Sequence, residues 1–345
     1  MKNISKYRTA IMGVAALLIY YIHIVPIGLF TGTALEEVEW YFHRNAFCGV
    51  DIFLLLSSFG LVYYFKKNNV NGVKSYLQYL KKRIVRIYIV IIPITVLIAY
   101  IDQWSFIDFL KNITGINQLT VNVYTYLWFI ACILIFYIFA PFYYKIFEKV
   151  HLKLVFTILM MSISIVLSVI FKDAIREDLY AIINRIPVFM LGFYFGEFST
   201  REKNKIHPVA WVFLIAIFVV GIIYNYGLNK GTIAEIVPAN NALSNVLIVP
   251  TASLLMAYFF QLAEKIFVGR GLVKLFEFWG VMSFEFYCVQ EWMWGHFQTI
   301  TGLDSNRMQW LCFIIVTSMA CLLSKITLQM RNKIFPPKTV DVEEK

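Results

Sequence analysis

The chain has 345 residues, 60% of them hydrophobic and 15% charged, with a mean hydropathy of +0.69 and a formal net charge of +10. Soluble globular domains carry about 25% charged residues, so water is excluded as the solvent for most of this surface. No polar stretch between the apolar runs is long enough to fold as a separate soluble domain, and the mass is assigned to the bilayer.

A helix needs about 20 apolar residues to cross the hydrocarbon. Spans are predicted to start near Ala10, Ala46, Ile84, Tyr124, Leu152, Ala181, Val209, Ser244, Phe276 and Met308. The expected fold class is all-α, a polytopic bundle of about ten transmembrane helices over residues 1–335 with a short disordered tail over 336–345. The first run, from Ala10 to Phe30, is longer than a signal-peptide core and lacks a small-residue cleavage site, so it is read as the first mature helix. Cys48, Cys132, Cys288, Cys312 and Cys321 all lie in apolar runs without metal-ligand spacing, so no metal site or disulfide is expected.

The connecting segments alternate in charge. The N-terminus and the segments 66–86, 145–153, 201–205, 265–274 and 325 onward hold 24 of the 31 Lys and Arg. That asymmetry predicts both termini in the cytoplasm and explains the positive charge by anionic lipid and an anionic ligand, without nucleic acid. Trp40, Trp104, Trp292, Trp294 and Trp310 fall near the predicted outer ends, as an interfacial belt does.

Ionisable residues inside spans are costly and mark candidate sites. His23 lies 15 residues past Arg8, about 22 Å along a helix, in the outer half of the bilayer. It reads either as a proton-transfer group or as a histidine hydrogen-bonded to a neighbouring helix. Asp51 opens the second span and reads as a partner for His23 or as an interfacial carboxylate at a helix N-terminus. Arg83 and Arg86 share a helix face at the inner end of the third span, either as a phosphate clamp or as topology-setting charge. Asn184 and Arg185, ahead of Pro187, read as a polar lining or a snorkelling arginine. Glu285 falls near the middle of the ninth span with Gln290 beyond it, while Glu291, His43 and His296 are read as reaching water. Together these describe a phosphate-attracting inner mouth with a titratable histidine and carboxylates nearer the outside. That arrangement suits a transferase with an anionic donor, or a transporter for an anion.

Several segments in order resemble the acyltransferase family 3 of bacterial membrane acyltransferases. They are the first helix ending in Tyr20-Tyr21-Ile22-His23, Gly49 to Phe59 (GVDIFLLLSSF), and Arg83-Ile84-Val85-Arg86. Leu127-Trp128-Phe129-Ile130, Arg185 to Gly196 (RIPVFMLGFYFG) and Ser283 to Tyr287 with Gln290 continue the series. Two positions depart from the pattern: Met12 stands where the first motif carries arginine, one turn from Arg8, and Ser58 stands in place of a glycine.

The resemblance implies an O-acyltransferase of the bacterial plasma membrane. It would move an acyl group, commonly acetyl from acetyl-CoA, to hydroxyls of a surface glycan or a lipid-linked saccharide, with acyl-CoA as donor substrate and no permanently bound cofactor. It implies His23 as the catalytic histidine, with Asp51 beside it. It further implies Arg83 and Arg86, and Arg8 in place of Met12, as contacts for the donor, and Trp128, Arg185 and Glu285 as polar groups of the substrate path or the structure. The alternative class is a transporter or flippase for a lipid-linked saccharide or small anion.

Overall fold

The computed structural model describes residues 2–24, 30–120, 128–176, 179–201, 206–237, 240–301 and 306–336, without the side chains of 240, 241, 292, 294–301 and 306–308. The tail beyond Pro336, the expected helix start at Tyr124, Leu127, and the side chains of Trp292, Trp294, His296 and Arg307 lie outside this set. The described residues form helices and connecting turns, with no strand among them.

The helices are α1 (Lys2–His23), α2 (Glu36–Asn45), α3 (Cys48–Lys67), α4 (Val73–Ile101), α5 (Phe106–Ile113), α6 (Ile116–Thr120), α7 (Trp128–Lys149) and α8 (Lys153–Ile170). They continue with α9 (Tyr180–Ile183), α10 (Ile186–Ser199), α11 (Pro208–Asn229), α12 (Asn240–Ala263), α13 (Phe267–Val281), α14 (Ser283–Thr301) and α15 (Asn306–Ile334). Among the described residues, seven are long and apolar enough to cross a membrane: α3, α4, α7, α8, α11, α12 from Ala242, and α15 from Gln309. The other three expected spans, near Ala10, Ala181 and Phe276, correspond to helices of different make-up. In α1 the basic residues Lys2, Lys6 and Arg8 continue the helix below the apolar run. The sixth and ninth spans, each expected as one rod, are both broken.

The sixth breaks at Asn184 and Arg185, because Pro187 begins α10 and a proline in the first turn fits a helix start and not an interior. The ninth breaks at Met282, and Ser283 starts α14. Glu285 is therefore in a first helical turn, where the helix dipole favours a carboxylate, and not at mid-span as the sequence implies. α4 begins at Val73, well before Ile84; its 29 residues span about 43 Å, longer than the hydrocarbon, so Arg83 and Arg86 lie inside the helix rather than at its end. His23 is the last residue of α1, not an interior one.

The core is built around α1 and α3. α1 packs on α13, α3, α12 and α14, and α3 also holds α10, α12 and α7. α3 is mostly buried within the bundle, whereas α8 and α11 are mostly exposed and form its rim. Close approach of α3 and α10 depends on Gly192. A methyl there would overlap the Leu55 carbonyl and the Ser58 hydroxyl. Ser58, in its glycine-like position, bonds back to the Leu54 and Leu55 carbonyls at 3.1 Å, so its hydroxyl is satisfied within the tight contact.

Candidate active site

Five helices converge on a cavity of about 860 Å³ including its open mouth: α1 with Arg8 and Met12, α3 with Phe53, Ser57 and Gly60, α4 with Arg83 and Arg86, α7 with Phe129 and Tyr137, and α14 with Ser283 and Tyr287. The i,i+3 spacing of Arg83 and Arg86 delivers both guanidiniums to it, and the helical continuation of α1 delivers Arg8 as a third. Arg83 sits among three tyrosine rings, its Cζ 5.0 Å from Tyr64, 5.7 Å from Tyr79 and 5.5 Å from Tyr137. Ring faces hold a cation without using up its N–H donors.

None of the three arginines has a carboxylate partner among the described residues, and Arg8 Nε is buried with no hydrogen bond. Two other bases at this end are paired with carboxylates. Lys6 lies 2.6 Å from Glu264, which Tyr7 also contacts, and Lys66 lies 3.0 Å from Glu197. Three converging guanidiniums without carboxylate partners among the described residues have the chemistry to hold a multiply charged anion.

Gly60 makes room for Arg8. A Cβ there would stand 2.9 Å from the Arg8 guanidinium. Gly60→Ala is expected to push Arg8 off its seat, raising the KM for the anionic substrate roughly five- to tenfold with kcat nearly unchanged, since binding is weakened equally in ground and transition states. Steady-state kinetics on the purified protein check this.

An adjoining cavity of about 730 Å³ shares Met12, Arg86, Ser283 and Phe284 and adds Glu285, Thr327 and Arg331. Glu285 Oε1 accepts a hydrogen bond from the Thr327 hydroxyl at 2.8 Å, which ties α14 to α15.

At the other end of α1, His23 Nδ1 lies 2.7 Å from the Ile19 carbonyl. A carbonyl only accepts, so Nδ1 carries the hydrogen and Nε2 holds the free lone pair. Nε2 faces Glu291 Oε1 at 3.5 Å, with the histidine side chain 31% exposed and the glutamate 12%. This is a base with a reachable lone pair and a carboxylate to stabilise its protonated form. Glu291 is thus the partner of His23, not a group in water.

Asp51 is not. It is fully buried, accepts from Asn245 Nδ2 at 2.9 Å, and lies 3.5 Å from Arg185 Nε. Arg185, 4% exposed, donates to the Ala181 carbonyl at 2.5 Å and stacks over Trp128 at 4.7 Å. It is a buried ion-pair arginine and does not snorkel. The break ahead of Pro187 frees the Ala181 carbonyl to take this bond, so the helix interruption and the buried cation belong together.

Between the cavity and His23 runs one face of α14. Tyr287, Gln290 and Glu291 are spaced i, i+3, i+4. The Tyr287 hydroxyl and both amide atoms of Gln290 are buried without a hydrogen-bond partner among the described residues. Orphaned polar atoms in a protein interior await water or a ligand, and here they lead from the cavity toward the histidine. Sequence reasoning missed Tyr287, Gly60, Asn245 and Arg331 as site residues and read Glu291 as reaching water. Asn245 and Glu291, polar groups inside apolar runs, carried a visible signal; the others did not.

The bundle thus combines apolar helices of membrane-spanning length, an arginine-lined cavity and a histidine–carboxylate pair. The family model described as an acyltransferase domain, acyltransferase family 3, matches residues 10–326, and the chain belongs to that family. It is an acyltransferase with membrane-spanning helices. No curated protein and no solved structure matches the chain.

Proposed function

We propose that the protein moves an acyl group, acetyl in the first instance, from acyl-CoA to a hydroxyl of a cell-surface glycan or related saccharide. In this reading it is a multi-pass protein of a bacterial plasma membrane, with about ten crossings and both termini cytoplasmic. The observation that carries the donor assignment is the set of three arginines without carboxylates around one cavity. CoA is a polyanion with a long neutral arm. Its phosphates fit Arg8, Arg83 and Arg86, and its thioester arm follows the polar face of α14.

The chemistry then falls to His23. Nε2 takes the proton of the acceptor hydroxyl as its oxygen attacks the thioester carbonyl. The oxyanion collapses, the C–S bond breaks, and the CoA thiolate leaves and recovers the proton from the imidazolium. Glu291 stabilises the imidazolium while it exists. Asp51 acts one step removed: with Asn245 it holds Arg185, and Arg185 holds Trp128 beside the cavity-lining Phe129. Arg8 supplies the cation that Met12 lacks.

The experiment is donor binding and turnover with labelled acetyl-CoA. Arg83→Gln and Arg86→Gln should each weaken donor binding about tenfold, the worth of one charge-assisted hydrogen-bonding contact of roughly 1.5 kcal/mol. Unchanged binding in the double variant, or the absence of any CoA release by the wild type, would sink the assignment. CoA release also separates an enzyme from a transporter, which breaks no thioester.

A further inference from the structure

A second concave site lies at the His23 end of the bundle, between α2 and the end of α11. It encloses about 1010 Å³ of empty space and opens to one side. Its walls include Trp40 and Tyr226, 45% and 40% exposed, with Glu36, Glu37, Arg44 and Lys230. Two carboxylates face two cations, so this lining carries no net charge. The polar groups are set firmly. Lys230 Nζ lies 2.5 Å from Glu37 Oε1, the Tyr226 hydroxyl donates to the same oxygen at 2.6 Å, and the Gly32 N–H donates to Glu36 at 2.8 Å. The contrast with the arginine cavity is chemical: positive charge is uncompensated there and balanced here.

α2 connects this groove to the catalytic end of α1. The Trp40 ring lies 6.1 Å from the ring of His43. His43 Nε2 donates to the carbonyl of Ile24, the residue after His23, at 2.6 Å, and its ring meets Tyr21 edge-on at 5.1 Å. A ligand on Trp40 is therefore held on the helix that braces His23.

We propose that this groove is the acceptor site and that it takes an uncharged sugar residue of a saccharide; the inference rests on the acyl-transfer reading above. A sugar ring has C–H faces and hydroxyl edges. The exposed aromatic rings suit the faces, and fixed carboxylates and a guanidinium suit the edges, as acceptors and donors for hydroxyls. An anionic glycan finds no surplus of cations in the groove, and a hydrocarbon tail finds charged walls that it would leave unsolvated.

The test uses the full-length protein in detergent, labelled acetyl-CoA, and surface saccharide extracted from the producing cells and separated into neutral, anionic and lipid-extractable fractions. The expected result is transfer to the neutral fraction. Trp40→Ala and Arg44→Gln should each raise its half-saturating concentration roughly tenfold, with the KM for acetyl-CoA and acceptor-free CoA release unchanged. Trp40→Phe should restore most of the loss, because it keeps a ring face. Label confined to the anionic or lipid fraction, or unchanged half-saturation in both variants, overturns the proposal. If the wild-type protein releases no CoA with any fraction, the acyl-transfer reading fails instead, and the two failures are distinguishable.

Discussion

His23→Ala is expected to lower acyl transfer by about 10²–10⁴-fold, the usual worth of a positioned general base, while leaving acetyl-CoA binding at the wild-type level. The split follows from the architecture. His23 ends α1, whereas Arg8 lies near its start; 15 residues separate them, or about 22 Å. A truncation at one end has no direct contact with the donor's phosphates at the other. Glu291→Gln should cost less than His23→Ala, because it removes the charge that stabilises the imidazolium but keeps the base. Isothermal titration with a non-hydrolysable CoA analogue and single-turnover kinetics separate the two quantities. Full transfer by a folded His23→Ala protein would remove His23 from the chemistry, and loss of donor binding would show that the two ends are not independent.

Arg185→Met carries the largest expected effect on stability, about 3–5 kcal/mol, through loss of the cation beside a fully buried carboxylate. Asp51 would keep its bond from Asn245, but one neutral amide does not solvate a buried negative charge. Arg185→Met combined with Asp51→Asn should recover most of the loss, because the second change removes the stranded charge while an amide still pairs with Asn245. Arg185→Lys should fall between, since a compact ammonium lacks the planar fork that stacks on Trp128 and reaches the Ala181 carbonyl. Thermal unfolding in detergent or nanodiscs measures the series. A stable Arg185→Met single variant would mean that Asp51 is uncharged in the folded protein.

Both predictions concern groups that the sequence marked as costly within a membrane, and in each the partner came from elsewhere. Apolar run length and the distribution of Lys and Arg were enough for a helical membrane protein, because the hydrocarbon tolerates no unpaired backbone and acts on each segment separately. The i,i+3 spacing of Arg83 and Arg86 was likewise enough to put both on one face. These are local facts, and local physics decides them.

The partners are not local. His23 was set against Asp51, the carboxylate that opens the second span, yet it faces Glu291 on α14, while Asp51 turns to Arg185 and Asn245. Several acids and bases sit at similar depth in different spans, and depth alone cannot choose among them; which helix packs against which makes the choice. Of the two helix breaks, the one at Arg185 had Pro187 as a visible cue and the one at Met282 had none. The sequence by itself determined that this chain is a bundle of apolar helices with Arg83 and Arg86 on one helix face and a histidine in its first apolar run. The tertiary structure decided that these two arginines share a cavity with Arg8, and which carboxylate stands beside the histidine, because both depend on helices meeting that are far apart in the chain.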